Sequence, residues 1–191
     1  MARWSPDSRV GRLAAGVAAL TAGLAIASSE VLRPIFPTVD DVACDTGASH
    51  AVNAVDLAKF AAIGVAIVML ARLVRGRLSK TGTRVAFVAA IASVVTGVAN
   101  GVEHCAHLEA LGLVYALGLM VSVLATIGYG ILLARSGEIP RWIGWVVAAG
   151  TLAFLVGAEQ GWGWPVDAIA WIAVGAGLLV RALQAARDAP S

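Results

Sequence analysis

Residues 84–108 read RVAFVAAIASVVTGVANGVEHCAHL. Residues 85–102 hold no ionisable side chain, and about 20 apolar residues suffice for a helix to cross the hydrocarbon of a bilayer. In and just beyond that run, Ser93, Thr96, Asn100, Glu103, His104 and His107 follow at steps of 3, 4, 3, 1 and 3. Residues three and four apart share a helix face, so the spacing predicts one apolar helix with a polar stripe. Val94, Val95, Val98, Ala99 and Val102 fill its other faces. Lipid offers no hydrogen-bonding partner, so such groups turn toward other helices or a cavity. The stripe is the expected lining of a site, with Glu103, His104 and His107 as ionisable members and Thr96 and Asn100 beside a substrate.

The same apolar character extends outward in both directions. Of 191 residues, 59% are hydrophobic and 14% charged, and the mean hydropathy is +0.83. A soluble domain of that composition lacks the polar surface to cover its core. Six segments are long and apolar enough to span: 11–30, 55–74, 84–104, 111–134, 141–160 and 165–183. The expected fold is all-α, a single integral membrane bundle of six transmembrane helices with one long outer loop, 31–54. A basic start followed by Ala25-Ile26-Ala27 also fits a secretory signal. Its apolar run is long for that, and a retained first helix preserves the charge pattern.

Charge sets the expected orientation. Arg3, Arg9, Arg12, Arg72, Arg75, Arg77, Lys80, Arg84, Arg135, Arg141, Arg181 and Arg187 fall on one side, leaving Arg33 and Lys59 on the other. The positive-inside rule makes the first side cytoplasmic, with both termini inside. The basic loops therefore read as topology signals. No nucleic-acid motif is present, so nucleic acid is not an expected partner; membrane lipid and an apolar small molecule are.

Local signals refine this picture. Asn53 and Asp56 read as an N-cap and a first-turn acid of the second span, and Lys59 as a side chain that snorkels outward or meets a carboxylate of another helix. Asp167 reads as a first-turn acid of the sixth span, with Trp171 four residues on, along the same face. On the fourth span Tyr115, Ser122, Thr126 and Tyr129 form a weaker stripe. There hydroxyls bonded to backbone or across an interface are the simpler reading, and Gly112-x-x-x-Ala116 and Gly118-x-x-x-Ser122 suit close helix approach.

Between spans four and five the chain reads Arg135-Ser136-Gly137-Glu138-Ile139-Pro140-Arg141-Trp142-Ile143-Gly144. Gly137 suits the end of one helix and Pro140 the start of the next. This turn resembles that of a family of small bacterial six-helix membrane proteins of unknown function, joined by Arg-Ser-Gly-x-x-Pro-Arg-x-x-Gly. The resemblance covers roughly residues 111–160. It implies a multi-pass protein of the bacterial cell (inner) membrane and no activity.

Chemistry has few candidates. Glu30, Glu103 and Glu159 are each expected at the outer, C-terminal end of an odd-numbered helix, where the macrodipole disfavours a carboxylate. A buried Glu103 would serve as a proton donor. Cys44 and Cys105 on the outer side suggest a disulfide. Free thiols, or a metal site with His50, His104 and His107, are the alternatives, and no metal or cofactor is expected. Three functions remain open. One is an acid-initiated isoprenoid cyclase using Glu103 or Glu159 with His104 or His107, and with Trp162, Trp164, Trp171, Tyr115 and Tyr129 steadying cationic intermediates; in size and setting this is similar to the small membrane-bound terpene cyclases of meroterpenoid pathways. The second is a proton-coupled small-molecule or cation transporter. The third is a non-catalytic sensor or assembly partner.

Overall fold

The computed structural model describes residues 9–35, 47–76, 78–106, 108 and 110–187. Six helices account for nearly all of them: α1 (Arg9–Ile35), α2 (Gly47–Leu73), α3 (Lys80–Ala106), α4 (Ala110–Ser136), α5 (Arg141–Gly157) and α6 (Gly163–Arg187). Five are long and apolar enough to cross a membrane. The expected fifth span is the exception. α5 has 17 residues, about 25 Å at 1.5 Å per residue, short of a hydrocarbon layer about 30 Å thick.

Several expected boundaries move. α2 begins at Gly47 rather than near residue 55, because the Ala-rich stretch around His50 and Asn53 continues the helix beyond the apolar run. Asn53 is therefore no N-cap, and Asp56 lies turns inside the helix. α1 likewise runs past Glu30 to Ile35, so Glu30 does not close it. Asp167 lies beyond the first turn of α6, which holds no acid. The α4–α5 turn follows expectation: Gly137 takes the left-handed φ of +74°, and Pro140 precedes α5 at φ −53°.

Each helix packs on its neighbours in sequence, and α6 returns to α1, closing a ring. Every helix thus turns one face inward and another outward. The inner face of α1 is Ala15, Ala19, Ala22 and Ile26; its outer face carries Val17, Leu24 and Val31. Ile67, Leu70, Leu133, Ile143, Val174 and Leu178 fill the centre. Large aliphatics outside, with charged groups inside, invert the pattern of a soluble protein and match a low-dielectric surround. The molecule has the make-up of a multi-pass membrane protein.

Candidate functional site

The most unusual group in the ring is Lys59. Its side chain is fully buried on α2, well inside a candidate span. Outward snorkelling, one of the two sequence expectations, does not occur; the ammonium turns inward, where a partner is at hand three residues back. Asp56 and Lys59 share a helix face, and Lys59 Nζ donates to Asp56 Oδ1 at 2.9 Å. Ser29 of α1 completes a triangle: its hydroxyl donates to Asp56 Oδ1 at 2.6 Å and accepts from Lys59 Nζ at 3.2 Å. Above them the Trp164 ring lies with its centroid 3.9 Å from Nζ. Phe154 tilts against Trp164 at 4.2 Å, and Phe60 meets it edge-on at 6.0 Å. Desolvated cation–π contact of this kind contributes about 2 kcal/mol, part of what offsets the cost of burying an ammonium.

A second carboxylate stands near. Asp167 on α6 is buried, with the buried Trp171 one turn further along the same helix face, as the four-residue spacing suggested. It also lies within the field of Lys59. Its Oδ1 points toward Gly150 of α5 and has no hydrogen-bond partner among the described residues. The Tyr129 hydroxyl on α4, fully buried, is likewise without one. Among the described residues the buried set thus holds two carboxylates against one ammonium, an excess of one negative charge if all are ionised.

Comparison of the chain with family models, curated proteins and solved structures gives no match. The site must be read from its own geometry.

The α3 stripe has a different setting. Ser93, Thr96 and Asn100 are buried, and Ser93 and Thr96 lie against α4. Ser93 Oγ shares a 2.7 Å hydrogen bond with Ser122 Oγ and also bonds to the Ala89 carbonyl at 3.0 Å. Thr96 donates back to the Ala92 carbonyl at 2.7 Å, and its hydroxyl lies 2.8 Å from where a Cβ on Gly118 would stand. The small residues of α4 let the two helices close on this seam. Ser93→Ala should cost about 1 kcal/mol, because the Ser122 hydroxyl then lies buried without its partner. The double change Ser93→Ala with Ser122→Ala should recover part of that loss. Thermal unfolding of the three proteins in detergent checks both.

The remaining candidates are scattered. Glu103 is half-buried, with Oε1 packed against Gly112 of α4. Glu159 is exposed in the α5–α6 turn, where Trp162 Nε1 donates to Gln160 Oε1 at 2.6 Å. Trp162 is 40% exposed, whereas Trp164 and Trp171 are buried in the ring. Tyr115 is half-buried on α4, and Glu30 half-buried beside Ser29 on α1. His104 lies on α3, while His107 and Cys44 fall outside the described residues. Cys105 stands on the exposed side of α3, where its Sγ accepts from Asn53 Nδ2 at 3.5 Å. The expected Cys44–Cys105 bridge therefore has one end outside the described residues. Among those residues no three His, Cys, Asp or Glu side chains come together as a metal site would need.

The central cluster does have a signature in sequence. Asp56-x-x-Lys59 places opposite charges on one face of an apolar helix, and Asp167-x-x-x-Trp171 places a carboxylate and an indole on one face of another. Both pairs look like helix-end features only while the helix starts are set too late.

Proposed function

We propose that the protein is a six-helix carrier of the bacterial inner membrane, N-in and C-in, that moves protons through the Lys59–Asp56–Asp167 cluster in exchange or symport with a small solute or cation. The carrying observation is the wholly buried Lys59 held by Asp56 and Ser29, with the second buried carboxylate, Asp167, in its field. Ionisable groups this deep among apolar helices are costly, and where they persist they mark ion or proton paths. Holding the Asp167 carboxylate charged in this apolar interior is costly, and a proton or a cation there lifts that cost. Asp167 Oδ1, without a hydrogen-bond partner among the described residues, is the atom poised to take one.

The cyclase reading has less support. It needs a carboxylic acid facing an apolar chamber and an aromatic face free for a carbocation. Glu103 packs against α4, and the face of Trp164 is taken by the Lys59 ammonium.

Purified protein in liposomes loaded with a pH-sensitive dye, under a potassium diffusion potential, tests the proposal. Wild type should move protons faster than protein-free liposomes. Asp167→Asn, which keeps the side chain's size and shape but cannot ionise, should fall to the protein-free rate. A wild-type rate equal to that of empty liposomes, or an Asn variant as fast as wild type, contradicts it.

A further inference from the structure

The outer flank of α2 and α3 carries a groove unrelated to the charged centre. At one end it is lined by Val68, Ala71, Arg72, Arg75, Thr83 and Phe87. It continues along the same two helices past Val65, Ile91, Val94 and Val95, with Val68, Arg72 and Phe87 common to both parts. Val65, Phe87, Ile91, Val94 and Val95 are exposed, so the groove opens away from the ring. We propose that it is a binding site for one anionic phospholipid of the cytoplasmic leaflet, with the phosphate on Arg72 and Arg75 and an acyl chain lying along α3.

Three observations fix that occupant. The first is length: from Thr83 to Val95 α3 rises about 18 Å at 1.5 Å per residue, close to the roughly 15 Å depth of one leaflet. The second is charge at one end only. Arg72 and Arg75 are exposed and have no carboxylate partner among the described residues. Lys80 and Arg84, exposed at the start of α3, add positive charge at this end. Guanidinium forks match phosphate oxygens in geometry as well as charge. The third is position: by charge asymmetry this is the cytoplasmic end, where anionic headgroups meet basic side chains. A soluble phosphate would use the arginines but leave the apolar trough empty; a zwitterionic lipid would fill the trough but bring its own cation to the arginines. The site needs the membrane setting, not the proton movement proposed above.

Native mass spectrometry of the detergent-purified protein, titrated with phosphatidylglycerol or phosphatidylcholine of equal chain length, tests it. Wild type should hold one phosphatidylglycerol through washing that strips phosphatidylcholine. Arg72→Gln with Arg75→Gln should weaken retention by about fivefold for each arginine. Arg84→Gln, a basic residue that does not line the groove, should retain the lipid as wild type does. Glycerol phosphate should not displace it. Equal retention of the two lipids, displacement by glycerol phosphate, or equal loss in Arg84→Gln overturns the proposal. Should the double variant fail to fold, wild type alone decides through a photoactivatable phosphatidylglycerol: labelling within residues 64–95 supports the site, and labelling spread over all six helices overturns it.

Discussion

Lys59→Met should be among the most damaging single substitutions in this chain, costing about 3–5 kcal/mol of stability, because it removes the ammonium bonded to the buried Asp56 carboxylate. Ser29 still donates to Asp56, but a hydroxyl brings no charge. The apolar stem of methionine fills most of the lysine's volume, so the loss reads the charge rather than a cavity. Adding Asp56→Leu should then restore most of the stability, since replacing both members of a buried pair with apolar residues is often neutral or better. Proton movement should not return with it. Unfolding midpoints and proton flux, measured on the single and double variants, separate the two roles. Recovery of both would make the pair a packing device; recovery of stability alone assigns it to function.

Gly144→Leu should prevent the ring from closing. A Cβ at Gly144 would collide with the Ala134 amide and the Gly130 carbonyl, both backbone atoms of α4 that cannot swing aside. Gly130 meets α5 the same way: a Cβ there would stand 2.7 Å from the Ala148 amide and 2.8 Å from the Gly144 carbonyl. Overpacking against side chains typically costs about 1–3 kcal/mol; against two fixed backbones the helices must separate, and the short α5 would lose its seat between α4 and α6. We expect the variant to be recovered largely as aggregate on size-exclusion chromatography. Gly137→Ala is the contrast: it sits at φ +74° in the exposed turn with open space around it. It should cost about 1–2 kcal/mol for the left-handed backbone alone and remain assembled.

The two variants mark what sequence reading reached and where it stopped. Six apolar helices were legible because each apolar run is bounded by polar or turn residues, and the Gly137–Pro140 turn declared itself through backbone chemistry. Helix ends were not legible: hydropathy ends a span at His50 and Asn53, whereas the backbone continues through any residues that tolerate a helix. That boundary error had a consequence for the site. With α2 started near residue 55, Asp56 became a first-turn acid and outward snorkelling was open to Lys59; with α2 started at Gly47, the same two residues lie on an inward face. The α3 stripe erred in the other direction. Ser93, Thr96 and Asn100 do share one buried face, but periodicity gives the face without its neighbour. Whether that neighbour is a hollow or Gly118 and Ser122 of α4 depends on contacts between helices. Trp164 was assigned as an aromatic face for a substrate cation, and the structure gives that face to the Lys59 ammonium.

The central claim is that the buried cluster exchanges a proton at Asp167. Infrared difference spectroscopy of the reconstituted protein, taken between acidic and alkaline buffer, reads this without any transported solute. We expect a carboxylic-acid carbonyl band from a buried, water-shielded group that titrates in wild type and is missing from Asp167→Asn. A difference spectrum unchanged by that substitution would contradict the account.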